Sequence, residues 1–422
     1  MLRFKALVLA MLTGSLLAVA SPAFASHEKV LYSFCPTSCQ TDGDFPFSTP
    51  IFDAAGNLYG TTYEGGQNDS GTVFELSQGP GGAWTETTLF NFPNCEGFGS
   101  LAGLTFDASG NLYGTTFGCG SAKGGTVFEL SHGSSGWSYQ VLHNFGIGHD
   151  GWALGAAVIF DSAGNIYGTT NEGGQNGSGI VFELSPNDGQ WTEKILYNFG
   201  SFGRTNSVSN LITDTAGNLY GTSALGGGAG CGGSGCGIVF ELSPSSNGHW
   251  TERVLHKFNG VNGANPISGV IFDGAGNLYG TTANGGRAGC NPPVGCGTVF
   301  ELSPGTAGHW TERVIRFFDA NPKNPTGNLV FDTAGNLYGT TSTGGGTGCN
   351  GGGCGKVFKL TPAGNGTWTF STLHIFLDNH KDGNTPYAGL VLDSAGNLYG
   401  TTYQGGSGIW NVGCGTVFEI TP

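Results

Sequence analysis

Charged residues are scarce in this sequence, and basic residues are scarcer than acidic ones. Asp, Glu, Lys and Arg make up 10% of the 422 residues, well below the quarter or so that is usual in globular proteins. Only 15 Lys and Arg stand against 29 Asp and Glu, which gives a formal net charge of -14. An acidic chain repels nucleic acid and anionic lipid, so neither is an expected partner.

Beyond its first residues the chain also lacks a hydrophobic run long enough to cross a membrane. Arg3 and Lys5 precede an apolar run over residues 6–20, and a small-x-small cleavage pattern follows and ends at Ala25. The run is too short for a good membrane span. We therefore expect residues 1–25 to be a secretory signal peptide, with a retained anchor as the alternative. The mature chain is expected to be a secreted monomer, extracellular or periplasmic.

Helical periodicity and catalytic signatures are missing as well. No stretch sustains the 3.6-residue hydrophobic period of an amphipathic helix, so the chain is expected to be nearly all β. There is no nucleophile elbow, no phosphate-binding loop and no His-Glu-x-x-His zinc motif. The sequence therefore names no reaction, and we predict no catalytic residue and no metal centre from it.

The sequence does contain one motif that occurs seven times. Asp-x-x-Gly-Asn, followed by Leu or Ile and then Tyr-Gly, starts at Asp53, Asp107, Asp161, Asp214, Asp273, Asp332 and Asp393. The copies are about 55 residues apart, a period typical of repeat architectures. Each copy carries four short runs rich in β-forming residues, named A to D in chain order. In the fifth copy they are residues 269–273, 277–282, 298–302 and 310–315.

Seven copies of four antiparallel strands predict an all-β fold, a seven-bladed β-propeller over residues 26–422. The seventh copy lacks a D run, and residues 28–34 match the D runs of the other copies. We expect this N-terminal segment to complete the last blade and close the ring. An open array would instead need a distinct capping repeat at each end.

The turn between runs A and B has a structural explanation. Asp accepts hydrogen bonds from turn amides, and Gly tolerates the positive φ that closes a tight hairpin. A bound cation such as calcium is the alternative, although the run lacks the ligand pattern of an EF-hand. No other cofactor is expected. The Trp at the start of run D in six copies is interpreted as a packing residue rather than a sugar platform.

Eleven cysteines in an exported chain predict disulfide bonds. A metal site is the alternative for the pairs between runs B and C, but no His lies in those loops to complete four ligands. Cys414 is expected near Cys35 and Cys39. Because the total is odd, at least one thiol is left over or pairs outside the chain. The expected bonds are Cys231–Cys236, Cys290–Cys296, Cys349–Cys354 and, between loops on one face of neighbouring blades, Cys95–Cys119.

The signature resembles the tandem repeat of the GloVer-containing proteins. The resemblance is carried by residues 53–66 and 71–76, which read Asp-x-x-Gly-Asn-Leu-Tyr-Gly-Thr-Thr-x-x-Gly-Gly and then Gly-Thr-Val-Phe-Glu-Leu. That family of exported bacterial proteins is named for its repeat and for varied C-terminal anchors. The resemblance implies a surface or secreted bacterial protein and brings no catalytic residue. The sequence shows no tail after the last repeat, which favours release over anchoring.

Residues that break the repeat are the better site candidates, and most lie in the loops from run D to the next run A. Eleven positions before the signature Asp, six copies carry a side-chain oxygen, and we call these the crown residues: Asp42, Glu96, Asp150, Asn262, Asn321 and Asp382. Further candidates occur once each on the same loop face: His149, Trp152, Arg204, His380 and Tyr387. Turn chemistry is the alternative, since Asp-Gly and Asn-Gly favour tight turns.

Three functions remain open. The leading hypothesis is a non-catalytic protein that binds an extracellular glycan or protein on a shallow face with exposed aromatics such as Trp152, Tyr387 and Trp410. The second is a carbohydrate-active enzyme of the lyase, glycosidase or lactonase type, with acids on the loop crown. The third is a structural matrix component. Fold alone does not decide between them.

Overall fold

The computed structural model describes residues 26–93, 95, 99–134, 136–200, 209–286, 290, 295–320, 323–409 and 412–422. In this part of the chain the principal strands form seven antiparallel sheets, each with the order A-B-C-D. The predicted seven-bladed β-propeller is confirmed. None of the described helices could span a bilayer.

The blades are numbered 1 to 7 by their signature copies. Their A strands are Ile51–Phe52, Thr105–Phe106, Ile159–Phe160, Ile212–Thr213, Ile271–Phe272, Val330–Phe331 and Val391–Leu392. The B strands are Leu58–Glu64, Leu112–Thr116, Ile166–Thr169, Leu219–Ser223, Leu278–Thr282, Leu337–Thr343 and Leu398–Thr402. The C strands are Thr72–Gln78, Thr126–Gly133, Ile180–Asn187, Ile238–Pro244, Thr298–Pro304, Lys356–Pro362 and Thr416–Thr421. The D strands of blades 1 to 6 are Trp84–Asn91, Gly136–Asn144, Gln190–Asn198, Trp250–Lys257, Trp310–Phe317 and Trp368–Ile375.

Short elements decorate the loops. The A strands have two residues each, fewer than the sequence predicts, because the chain just before them leaves the sheet and lines a central cavity. The loop strands are Asp44–Pro46, Gly151–Trp152, Glu172–Gly173, Lys323–Pro325, Gly383–Asn384 and Gln404–Gly405. The helical turns are Cys39–Asp42, Cys231–Gly233 and Thr306–Gly308.

The strand His27–Ser33 is the D strand of blade 7 and closes the ring. It pairs antiparallel with Thr416–Thr421, with Lys29 opposite Glu419 and Val30 opposite Phe418. The pairing extends to Phe34, whose N–H donates to Gly415 O at 3.0 Å. The predicted closure by an N-terminal strand is thereby confirmed.

The hydrophobic core is divided into seven clusters, one at each seam between neighbouring blades. Each seam buries a Phe from a C strand against a Phe that follows the D strand of the previous blade. In the seam between blades 7 and 1 these are Phe74 and Phe34, with ring centroids 5.1 Å apart. The Trp residues of the D strands pack at the margins of these clusters, as in the cases of Trp191 and Trp250.

The second Gly of the signature, which follows the Tyr, has a packing role in strand B. A Cβ on Gly280 would lie 2.6 Å from Cζ of Phe300, and one on Gly114 would lie 2.7 Å from Cζ of Phe128. Any larger residue would displace the C-strand Phe from its seam, since cores are close-packed. The signature therefore encodes the seam as well as the turn.

Neighbouring blades are also joined by one recurrent hydrogen bond. The first Thr after the signature Gly donates through Oγ1 to a carbonyl in the loop of the next blade. Thr61 donates to Ala102 O at 2.9 Å, and Thr401 of the last blade donates to Ser48 O at 2.8 Å. Blades 2, 3, 4 and 6 repeat this bond at the equivalent Thr, and in blade 5 Thr281 donates to Pro325 O, two residues earlier in the loop, at 3.5 Å. The seam between blades 7 and 1 is therefore built like the other six.

Candidate functional site

The carboxylate of the signature Asp accepts its full set of hydrogen bonds from the hairpin between strands A and B. In blade 1, Asp53 Oδ1 accepts from the N–H groups of Ala55 and Asn57 at 2.8 Å, and Oδ2 accepts from Asn57 Nδ2 at 2.8 Å and Tyr59 OH at 3.2 Å. Burial raises the pKa of this carboxyl, but the hydrogen bonds outweigh it and leave the pKa below its ordinary value. A carboxylate has about four acceptor positions, so the turn uses all of them.

A cavity of about 440 Å³ lies on the ring axis, since every blade contributes to its wall. The wall is built from the ends of the D–A loops and from Asn171 of a B–C loop, and its side chains are small, apolar or neutral and polar. Among the described residues that line it there is no Asp, Glu, His, Lys or Arg. Acid–base chemistry on the axis would therefore have to come from outside this wall.

Neutral polar side chains in the cavity wall join one blade to the next. Asn210 Oδ1 accepts from Ala157 N at 2.8 Å, and Asn328 Oδ1 accepts from Gly269 N at 2.7 Å. In both bonds the side-chain oxygen is the acceptor, and both Asn residues also line the cavity. The wall thus combines apolar surface with a few placed polar groups, as small-molecule sites generally do.

Four aromatic side chains form a cluster where blades 7 and 1 meet at the mouth of the cavity. Phe47 stacks on Tyr387 with centroids 4.7 Å apart, and Phe45 stacks on Tyr403 at 4.8 Å. Tyr403 also meets the edges of Phe47 and Tyr387. Phe47 and Tyr387 line the cavity, and all four side chains are half-buried. We call these four residues the aromatic wall.

Blades 5 and 6 have amide side chains, not an aromatic ring, at the position of Phe45. Asn265 and Asn324 replace Phe45, and they are linked through Asn284: Asn284 Nδ2 donates to Asn265 Oδ1 at 3.1 Å, and Asn324 Nδ2 donates to Asn284 Oδ1 at 3.3 Å. The mouth is therefore asymmetric although the scaffold repeats. An asymmetric mouth gives a bound ligand a preferred orientation.

Two acids lie beside the aromatic wall. Asp44 precedes Phe45, and it is the cross-strand neighbour of Glu64. Burial, and then the charges of Glu64, Asp69 and Asp42, raise the pKa of Asp44 to about 7. One of its oxygens, Oδ1, is buried and has no hydrogen-bond partner among the described residues. Burial, and then charges that include those of Glu64 and Asp44, raise the pKa of Tyr403, which places this carboxylate pair beside the aromatic wall.

The described crown acids lie at separate seams. Asp42 Oδ2 accepts from Tyr32 OH at 2.6 Å, Asp150 Oδ2 lies 3.2 Å from His143 Nε2, and Asp382 Oδ2 lies 3.1 Å from His374 Nε2. Asn262 likewise bonds a D-strand His through its Nδ2, 2.9 Å from Nε2. None of the four is part of the cavity wall. Each described crown residue therefore bonds to the D strand that precedes it, and these residues do not converge on one ligand.

The other sequence candidates are dispersed. His149 and Trp152 are exposed in one D–A loop and His380 in another, and Trp152 retains 45% of its accessible surface. Tyr387 is the candidate that lines the cavity. Glu96, Arg204, Asn321 and Trp410 lie outside the described residues. The sequence candidates did not include Phe45, Phe47, Tyr403, Asp44 or Glu64. A comparison of the copies singles out Phe45, but Tyr403 and Glu64 have like residues, Tyr63 and Glu172, at the same positions of other copies.

The four expected disulfides are present: Cys95–Cys119, Cys231–Cys236, Cys290–Cys296 and Cys349–Cys354. A fifth bond joins Cys35 to Cys39. The Cys414 Sγ atom lies 3.8 Å from Cys39 Sγ, so these cysteines are neighbours as predicted. Five disulfides indicate an oxidising compartment and hence an exported protein.

Comparison with known proteins agrees with the repeat. The family model of the Gloeobacter/Verrucomicrobia repeat matches residues 46–251 and 229–422. The chain belongs to this repeat family. The match confirms the resemblance that the signature suggested, and in this Gloeobacter/Verrucomicrobia repeat protein the two matched segments together cover nearly all of the described chain. No curated protein sequence matches it.

Solved structures share the fold of this repeat protein at low identity. The extracellular domain of a protein described as a hybrid two-component system of B. thetaiotaomicron is 13% identical, with a TM-score of 0.51 over 94% of this chain and 41% of that one. An ancestral GH74 enzyme is 13% identical, with a TM-score of 0.54 over 90% of this chain and 48% of that one. The repeat protein thus spans less than half the length of these structures, and at such identity the likeness establishes the fold alone.

Proposed function

We propose that the protein is a secreted, monomeric binding protein for a neutral extracellular glycan, which it takes up at the mouth of the central cavity after residues 1–25 are removed. The observation that carries this proposal is the aromatic wall beside an uncharged cavity. A sugar ring presents C–H groups on its faces and hydroxyls around its edge. The stacked rings of Phe47 and Tyr387 fit the former, and the Asn and Thr side chains around the cavity fit the latter.

The charge of the protein narrows the class of glycan. The chain carries a formal charge of -14, and no cationic side chain occurs among the described residues that line the cavity. An anionic polysaccharide would be repelled during encounter and would find no counter-charge in the cavity. A neutral hexose or pentose polymer meets no such penalty.

A glycan array followed by calorimetry on the best neutral ligand tests the proposal. Truncating the wall in Tyr387→Ala or Phe47→Ala should weaken binding at least tenfold, since each change removes stacking surface from the ligand. Trp152→Ala is the matched control, because it removes an exposed aromatic side chain that does not line the cavity, and it should bind like the wild type. Binding that is lost in Trp152→Ala and kept in Tyr387→Ala would contradict the proposal.

A carbohydrate-active enzyme is the second candidate, and the pair Asp44 and Glu64 is the observation that favours it. Glycoside hydrolysis uses two neighbouring carboxyl groups, one protonated as the acid and one ionised, and the raised pKa of about 7 suits Asp44 to the acid role beside Glu64. A turnover screen on neutral polysaccharides should then give a product that Asp44→Asn abolishes, whereas Asp69→Asn, an exposed acid nearby, should keep activity. Binding without turnover would exclude this candidate. If the protein neither binds nor cleaves any of these polysaccharides, a structural matrix component becomes the favoured function.

A further inference from the structure

Two seams of the propeller hold the same trio of side chains. Between blades 2 and 3 the trio is His143, Asp150 and Glu193, and the ligand atoms of all three lie within 4.8 Å of one another. His143 Nε2 is 3.2 Å from Asp150 Oδ2. The His comes from one D strand, the Asp from the loop that follows, and the Glu from the next D strand. The trio therefore bridges the outer edges of two neighbouring blades.

The second trio lies between blades 6 and 7 and has the same construction. It consists of His374, Asp382 and Glu28, again with ligand atoms within 4.8 Å of one another. His374 Nε2 is 3.1 Å from Asp382 Oδ2, and the two side chains keep 18% and 7% of their accessible surface. Glu28 belongs to the N-terminal strand that closes the ring. The same chemistry thus recurs at equivalent positions, four blades apart along the chain.

Each trio has a carboxylate oxygen that the protein does not satisfy. Oε1 of Glu193 and Oε1 of Glu28 are buried and have no hydrogen-bond partner among the described residues. Burial, and then the charge of the neighbouring Asp, raise the pKa of each Glu to about 7. A half-buried pair of carboxylates beside an imidazole needs either a proton or a cation to offset the repulsion.

We propose that each trio binds one zinc ion through the imidazole Nε2 and one oxygen from each of the two carboxylates, with water in the fourth position. Zinc bonds to His nitrogen and carboxylate oxygen are about 2.0–2.2 Å long, so tetrahedral ligand atoms lie about 3.3 Å apart. The His–Asp separations of 3.2 and 3.1 Å fit this spacing. An imidazole ligand favours zinc over calcium or magnesium, which prefer oxygen ligands only.

Other seams provide internal comparisons. Between blades 4 and 5 the trio is His256, Asn262 and Glu312, with an amide in place of the carboxylate, and Asn262 Nδ2 lies 2.9 Å from His256 Nε2. Between blades 7 and 1 the His is replaced by Tyr32. The two complete sets are the groups of described residues that combine a His with two carboxylates at this spacing.

Zinc titration against a chromophoric competing chelator, in metal-free and non-reducing buffer, tests the proposal. Non-reducing conditions keep the Cys35–Cys39 bond and so prevent these thiols from binding the metal. The wild type should bind two zinc ions per chain. Asp150→Asn and Asp382→Asn should each bind one, and the double variant none. Zinc should also raise the melting temperature of the wild type and leave that of the double variant unchanged.

A gain of binding keeps the test independent of any loss of folding. Asn262→Asp supplies the missing carboxylate between His256 and Glu312, so the stoichiometry should rise from two to three. A wild type that binds no zinc, or a double variant that still binds two ions, would overturn the proposal. A stoichiometry that stays at two in Asn262→Asp would also count against it, because the carboxylate would then not be the deciding ligand.

Discussion

Truncation of Phe34 tests whether the ring is closed in solution. Phe34 follows the N-terminal strand, is fully buried, and meets Phe74 edge-on with centroids 5.1 Å apart. Its partners in the seam include Leu58 and Val417, which belong to blades 1 and 7. If the strand is docked, Phe34→Ala removes a large side chain from a close-packed seam, and such changes cost about 3–5 kcal/mol. If the strand is undocked, the change costs almost nothing.

The repeat supplies the matched control. Phe145 occupies the equivalent position at the seam between blades 2 and 3, is also fully buried, and lies 4.8 Å from Phe182. No closure by a terminal strand is involved there, so Phe145→Ala reports the ordinary cost of the truncation. Urea unfolding, monitored by tryptophan fluorescence, should show similar decreases in the free energy of unfolding for both variants. A Phe34→Ala variant that loses less than about 1 kcal/mol, while Phe145→Ala loses several, would refute the closed ring.

Further predictions concern packing, protonation and a disulfide. Gly280→Ala should lower the urea midpoint, because the new methyl would lie 2.6 Å from the ring of Phe300, whereas Gly274→Ala meets no atom within 4 Å and should be neutral; equal midpoints would contradict the packing argument. The pKa of Glu193 is raised from 4.5 to about 7 in the folded protein by burial and by the charge of Asp150, so the folded state binds the extra proton and stability should fall as the pH rises from about 5 to 7.5 in metal-free buffer. Glu193→Gln should show a shallower fall in its urea midpoint over that range, and an unchanged slope would count against the assignment. Cys95→Ser opens a bond between residues 24 apart and should cost about 3 kcal/mol under non-reducing conditions; a variant as stable as the wild type would mean that the bond is not formed.

The fold could be predicted from the sequence because every repeat contains the same pattern of turns and strands. The signature Asp forms the same turn in each blade, and the Gly after the signature Tyr allows the same packing at each seam. The structure of one turn and one seam therefore accounts for all seven. The closing strand was predictable because residues 28–34 match the other D strands. The short A strands were not predictable from local pattern, since their length depends on how seven sheets converge around the axis.

The candidate site was predicted only in part, and the reason is geometric. The crown residues are related by sequence position, but each described one bonds to the D strand of its own seam, so they are spread around the ring. Sequence separation did not show that Phe45 and Tyr403, from opposite ends of the chain, would stack. That contact exists only because the ring closes, and no local pattern contains it.

The place of the aromatic wall links the site to the closure. Phe45 and Phe47 follow the N-terminal strand, whereas Tyr387 and Tyr403 belong to the last blade. The aromatic wall therefore joins segments from the first and last parts of the propeller. Phe45 N also donates to Cys414 O at 2.8 Å, which ties the same loop to blade 7. A ligand stacked on this wall would contact both ends at once and would bind only the closed ring. Binding and closure are therefore expected to be thermodynamically linked, because a ligand that binds the closed form alone stabilises it by mass action.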